Sequence, residues 1–122
     1  MIDPGRFTNA RLTGGFVIAA IELTDQPLTD AVGREAIAKT GIIGTSLDLL
    51  IRRGLTEREL SVTIYHEILE AASVAVREPP SEVIDFNEAD FERAAYAMHE
   101  SFGEASAANL NLMLQLHGFR EV

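Results

Sequence analysis

The segment from Thr56 to Val76 constrains the fold most, because its periodicity predicts one long helix. Thr56 is a favourable N-cap, and Glu59 three residues later completes a capping box. The pattern stops before Pro79-Pro80. A wide arc of this helix is apolar, whereas its polar residues fall on one narrow strip. That strip consists of Glu59, Thr63, His66, Glu67, Glu70, Ser73 and Arg77. The pattern indicates a helix that is packed on two sides and opens its polar strip to a cleft or to solvent.

Two strand-like runs precede the helix. Phe16 to Leu23 is short and rich in Val and Ile, which predicts a buried strand. Thr45 to Arg52 alternates in part, which predicts a strand with one exposed face. The sequence between them is ambiguous, since Pro27 to Lys39 has roughly helical spacing that Gly33 weakens. Gly41 to Gly44 is interpreted as a connector.

Two further helices are predicted after the long one. Asn87 can cap a helix from Glu88 to Phe102, and Ser106 can begin another that runs to His117. Gly118 followed by Phe119 is typical of a helix-ending motif with a hydrophobic clasp. The prediction is therefore an α+β fold, in which the long central helix packs on a small sheet and two helices follow it. Residues 1–122 form a single domain, and residues 1–15 are interpreted as an irregular N-terminal arm.

Charge and composition exclude several classes of partner. The net charge is −9 with a single lysine, so a polyanion such as nucleic acid or an anionic membrane would be repelled. No apolar run approaches the roughly 20 residues that span a bilayer, and no signal peptide is visible. The absence of cysteine excludes disulfides and thiolate metal sites and is compatible with a cytoplasmic location.

The polar strip contains the pattern His-Glu-x-x-Glu, which predicts a metal site. Side chains four residues apart on a helix lie one above the other, so His66 and Glu70 can bind one cation. Glu67 beside them could take a proton from water, as the general base of a hydrolase does. Zinc is one expected cofactor, and an anionic set of ligands also suits a harder divalent cation such as Mn²⁺.

A third ligand must come from elsewhere in the chain. His99 is the predicted third ligand, because the next helix could fold back after the two prolines and present its flank. The alternatives are Glu92 on the same flank, Glu100 and His117.

The stretch from Asp48 through the Leu55-Thr-Glu-Arg-Glu-Leu60 helix start to the Thr63–Glu70 segment resembles the minimal zincin metallopeptidases. It is most similar to the small regulator-cleaving type found with phage and mobile-element repressors. The resemblance implies a zincin-like fold and a peptidase, with His66 and Glu70 as ligands and Glu67 as general base. It also implies that the strand from Thr45 to Ile51 is an edge that pairs with an extended peptide.

Other interpretations stay open. The acidic strip could be a solvated surface with no site. The domain could be a non-catalytic protein-interaction module that recruits a partner strand along an exposed strand edge. It could also be a homodimer built on the C-terminal helix, where Leu112 and Leu116 lie opposite the core face. Burial of both leucines within one chain would remove the last interpretation.

Overall fold

The computed structural model describes residues 1–120 and has an α+β fold with three helices. The helices are α1 (Glu57–Ala75), α2 (Glu88–Phe102) and α3 (Ala107–Leu116). The strands are β1 (Ala10–Leu12), β2 (Phe16–Thr24), β3 (Leu28–Thr29), β4 (Glu35–Ala36), β5 (Ala38–Ile43) and β6 (Ser46–Arg52). None of the helices in residues 1–120 combines the length and the apolarity that crossing a membrane requires.

Four strands form the main sheet in the order β1-β2-β6-β5, with β3 and β4 paired in a separate ribbon. β2 and β6 run parallel, and β5 is antiparallel to β6. Because side chains alternate along a strand, one face of the sheet carries the apolar residues that meet α1. Leu47, Leu49 and Ile51 of β6 are buried there beside Ile18 and Ile21 of β2.

The helix boundaries follow the capping residues. Thr56 accepts a hydrogen bond from the Glu59 amide while the Glu59 carboxylate accepts one from the Thr56 amide, which confirms the predicted capping box. Asn87 forms the equivalent box with Asp90 at the start of α2. Ser106 caps α3 through the amide of Asn109, as its sequence predicts.

The helix-ending motif after α3 is also confirmed. Gly118 has a positive φ of 90°, and the amide of Phe119 donates to the carbonyl of Leu114 at 2.9 Å. Phe119 is buried, so the clasp closes on the core. A glycine is favoured at this position because other residues are strained at such a φ.

Residues 1–15 do not form an irregular arm. Pro4–Phe7 is a 3-10 turn, and β1 pairs antiparallel with β2 so that Leu12 faces Phe16. Ile2 and Phe7 are buried in the same core as α1. The segment is ordered because these apolar side chains complete one end of the sheet.

The ambiguous region from Pro27 to Lys39 contains no helix. It forms the β3–β4 hairpin, whose turn is held by the Asp30 carboxylate accepting hydrogen bonds from the amides of Val32 and Arg34. The predicted connector from Gly41 to Gly44 is also wrong in part, since β5 extends through Ile43.

The predicted position of β6 in the sheet is corrected as well. The run is a strand, but it is paired on both sides, with β2 on one and β5 on the other. It therefore has no free edge for a peptide. The free edge on this side of the sheet belongs to β5.

Candidate metal centre

Three side chains from two helices converge on one point. The Nε2 atom of His66 lies 3.2 Å from Oε2 of Glu70 and 3.2 Å from Oε2 of Glu88. The three possible ligand atoms all lie within 4.8 Å of one another. His66 and Glu70 meet because they are one turn apart on α1, as predicted. Glu88 joins them because the segment containing the two prolines returns the first turn of α2 to this part of α1.

Packing on the core fixes the imidazole. Its ring stacks on Phe91 with centroids 6.3 Å apart and an interplanar angle of 26°. Phe91 is buried and packs in turn against Phe86, with ring centroids 5.2 Å apart. The side chains of His66 and Glu70 are 21% and 31% exposed, whereas that of Glu88 is 76% exposed. The group is thus anchored on α1, and Glu88 reaches it from the solvent-exposed side.

The donor set fits a small divalent cation. Metal–ligand distances of about 2.0–2.1 Å in a tetrahedral arrangement separate neighbouring ligand atoms by about 3.4 Å. The two distances from the His66 nitrogen are close to that value. One imidazole and two carboxylates would leave one position of a four-coordinate ion for another molecule, which is the arrangement of catalytic zinc sites.

Glu67 is the least ordinary carboxyl group of the site. Its pKa is raised to about 7, chiefly by burial; the charge of His66 lowers it, and the negative charges of Glu70 and Glu88 raise it. A cation bound by the neighbouring residues would favour the ionised form of Glu67. Without a cation the pKa of Glu67 is close to neutral pH, the range in which a general base is most effective.

The other members of the group also perturb one another. The hydrogen bond with His66 lowers the pKa of Glu70, whereas the hydrogen bond with Glu70 raises the pKa of Glu88. The two carboxyl groups are thus shifted in opposite directions, with Glu70 the more acidic of the pair. Burial lowers the pKa of His66, but the hydrogen bond to Glu70 and the surrounding negative charges outweigh it, and the pKa lies above its ordinary value.

The predicted third ligand, His99, lies elsewhere. Its Nδ1 atom is 2.8 Å from the hydroxyl of Ser61, which also accepts a hydrogen bond from the amide of Ala105. The reason is the direction of α2, which runs antiparallel to α1. Glu88 at the start of α2 therefore lies beside His66, and His99 is about 16 Å further along the helix axis.

One of the three alternative ligands lies in the cleft, and the other two make contacts elsewhere. Glu92 lines the same cleft as His66. Glu100 pairs with Arg58, and the Nδ1 atom of His117 lies 2.7 Å from the carbonyl oxygen of Met113. Glu88 itself is not among the ligands that the sequence predicts, where it is only the first residue of the second helix. Its signal in the sequence is its place directly after the cap of the helix that follows the two prolines.

The group opens into a cleft of about 790 Å³. The polar strip of α1 forms its floor, α2 forms one wall, and the β3–β4 hairpin with the start of β5 forms the other. Comparison with models of protein families, with curated proteins and with solved structures found no match.

Proposed function

We propose that this domain is a divalent-metal-dependent hydrolase that cleaves peptide bonds. The observation that carries the proposal is the convergence of His66, Glu70 and Glu88 in a cleft, with the proton-accepting Glu67 on the same helix turn. The zincin-like resemblance of the sequence supports the same conclusion. Zinc or another divalent cation would be held by the three convergent side chains and would supply Lewis acidity toward a carbonyl oxygen and toward water.

The protein residues have separate roles in this proposal. Glu67 takes a proton from the attacking water molecule and delivers it to the amine that leaves. His66 is held in position by its stacking on Phe91. Glu88, which is the most exposed of the three convergent residues, would bind the cation from the side that faces the cleft.

The edge of β5 favours an extended peptide as the substrate. The amide of Arg52 donates to the carbonyl of Ile37 at 2.8 Å, which marks that pair as hydrogen-bonded in the antiparallel ladder. Because such pairs alternate, Ala38, Thr40 and Ile42 direct their backbone groups toward the free edge. Ala38 also lines the cleft, so a peptide strand added at this edge would run past the metal group.

The metal content of the purified protein tests the proposal. Wild type stripped with a chelator and reloaded with Zn²⁺ or Mn²⁺ is expected to bind about one ion per chain, while His66→Ala and Glu88→Ala lose it. Glu22→Gln, which alters an exposed residue on β2 outside the cleft, serves as the control. Equal metal in His66→Ala and wild type would end the proposal.

Turnover of a peptide library tests the role of Glu67. Glu67→Gln is expected to keep the ion and lose hydrolysis, because the amide has no proton-accepting carboxylate. Hydrolysis at the wild-type rate would remove Glu67 as the base while leaving the metal site intact.

The free β5 edge also favours a second candidate, a module that binds a partner strand without catalysis. That function predicts that a chelator leaves partner binding unchanged.

A homodimer through α3 keeps part of its support, since Leu116 is 55% exposed and Leu112 is half-buried. Sedimentation of wild type and Leu116→Ser would test the homodimer.

Consistent with the lack of cysteine, we propose the cytoplasm as the location of the protein.

A further inference from the structure

The cleft carries far more negative charge than a metal site needs. Six carboxyl groups line it, namely those of Asp30, Glu59, Glu67, Glu70, Glu88 and Glu92. Arg34 is the one arginine or lysine among the described lining residues, and its guanidinium already pairs with Asp30 at 3.3 Å. A divalent cation neutralises two negative charges, so the loaded cleft keeps a negative potential that attracts cations.

The carboxylate of Glu92, unlike those of Asp30 and Glu59, does not help to hold the fold. Asp30 and Glu59 accept backbone hydrogen bonds in the hairpin turn and the α1 cap. Glu92 is exposed, and its carboxylate forms no hydrogen bond or ion pair with any residue in the described range 1–120. It lies one turn beyond Glu88 on the wall of the cleft, about 6 Å along the helix axis. That distance corresponds to about two residues of an extended peptide.

We infer, resting on the proposed hydrolase function, that the cleft selects peptides with a positive charge within two residues of the bond that is cut, and that Glu92 recognises that charge. A peptide paired with the edge of β5 would lie along the cleft, opposite the α2 wall. A basic group on the α2 side then meets Glu92, while an acidic group at the same place meets uncompensated negative charge. Such complementarity discriminates between partners through repulsion as well as attraction.

The positive charge can come from a lysine or arginine side chain or from the amino terminus of the peptide. Both sources present the same cationic group to a carboxylate. Peptides with acetylated and free amino termini separate them, because acetylation removes the terminal charge and leaves the side chains unchanged.

Binding of short peptides to the Zn²⁺-loaded Glu67→Gln protein tests the inference without requiring turnover. The probes are eight-residue peptides with a neutral fluorophore that differ at a single position, which holds Lys, Arg, norleucine or Glu, each made with a free and an acetylated amino terminus. We expect peptides with a positive charge to bind about fivefold more tightly than their uncharged counterparts, the size of one partly exposed ion pair. The preference should shrink as salt is added.

Glu92→Gln in the same background is expected to reduce that preference to less than about twofold, and Glu22→Gln is expected to leave it unchanged. Metal content and urea stability of both variants establish that the fold and the ion are kept. Equal binding of lysine and norleucine peptides, or full preference in Glu92→Gln, would overturn the inference. Metal content and wild-type turnover test the proposed function separately. The peptide-binding measurements are also repeated on metal-free protein. Charge selectivity there without any metal binding would refute the hydrolase and keep Glu92 as a recognition residue.

Discussion

Replacing Glu67 by Gln should stabilise the metal-free protein, and the gain should grow with pH. Burial raises the pKa of Glu67 from 4.5 to about 7, so the native state binds its proton more tightly than the unfolded state does. Ionisation therefore opposes folding, and the loss of stability develops as pH rises from 4.5 to about 7. Below that interval the side chain is protonated in both states and contributes nothing of this kind.

The size of the destabilisation follows from the pKa shift of Glu67 from 4.5 to about 7. This shift corresponds to a loss of unfolding free energy of about 3 kcal/mol at most, which is reached above pH 8. Gln keeps the shape and removes the charge. The difference in unfolding free energy between Glu67→Gln and wild type should thus rise by about 2 kcal/mol between pH 5 and pH 8. Urea unfolding in the presence of a chelator measures this difference in unfolding free energy. Circular dichroism is the signal, because the chain has no tryptophan.

Glu22→Gln is the matched control, since the same substitution on an exposed β2 residue should change stability little at either pH. A difference for Glu67→Gln that is the same at pH 5 and pH 8 would refute the reasoning. It would mean that Glu67 is ionised in the native state as easily as in the unfolded chain.

Three further predictions concern the metal and the packing around it. Metal affinity should fall as pH is lowered from 8 to 6, since the raised pKa of His66 lets protons compete for the nitrogen, and calorimetry in buffers of different ionisation enthalpy should show proton release. Ser61→Ala should cost about 1–3 kcal/mol in urea unfolding, because the amide of Ala105 loses its buried acceptor, with unchanged metal affinity. Gly118→Ala should be destabilising by about 1 kcal/mol or more, since φ is 90° and a Cβ atom there would meet the Glu82 carboxylate at 2.6 Å. Glu82→Ala should recover only the steric part of that loss, as a double-mutant cycle would show.

The sequence predicts the long helix and its cap well because both depend on residues close together in the chain. The Thr56–Glu59 box and the pairing of His66 with Glu70 need only the geometry of one helix. The β3–β4 hairpin was less predictable, since its strands have two residues each and the spacing of Leu28 and Val32 also fits a helix. The hydrogen bonds that the Asp30 carboxylate accepts from the amides of Val32 and Arg34 favour the hairpin over the helix.

Features that depend on the order of strands and the direction of helices were beyond local patterns. Nothing in the alternation of β6 reveals that β5 pairs along its second edge. The third convergent residue depends on which end of α2 meets His66. A helix that follows a turn can return in either sense, and the two senses bring Glu88 or His99 to the same place. Burial of Ser61 and its bonds to His99 and Ala105 fix the antiparallel choice.

The electrostatics of the cluster favour the proposed site over a solvated acidic surface. On an open surface, acidic side chains separate and hydrate, because like charges held together oppose folding. Here the neighbouring carboxylate of Glu70 raises the pKa of Glu88, and burial raises the pKa of Glu67 next to them. The raised pKa values of Glu67 and Glu88 mean that ionisation of these two groups opposes folding of the metal-free chain, although the contacts with His66 offset part of that cost. A strongly perturbed carboxyl group beside convergent ligand groups in a cleft is typical of functional centres, which supports the proposed metal site, and a cation bound there would favour the ionised carboxylates.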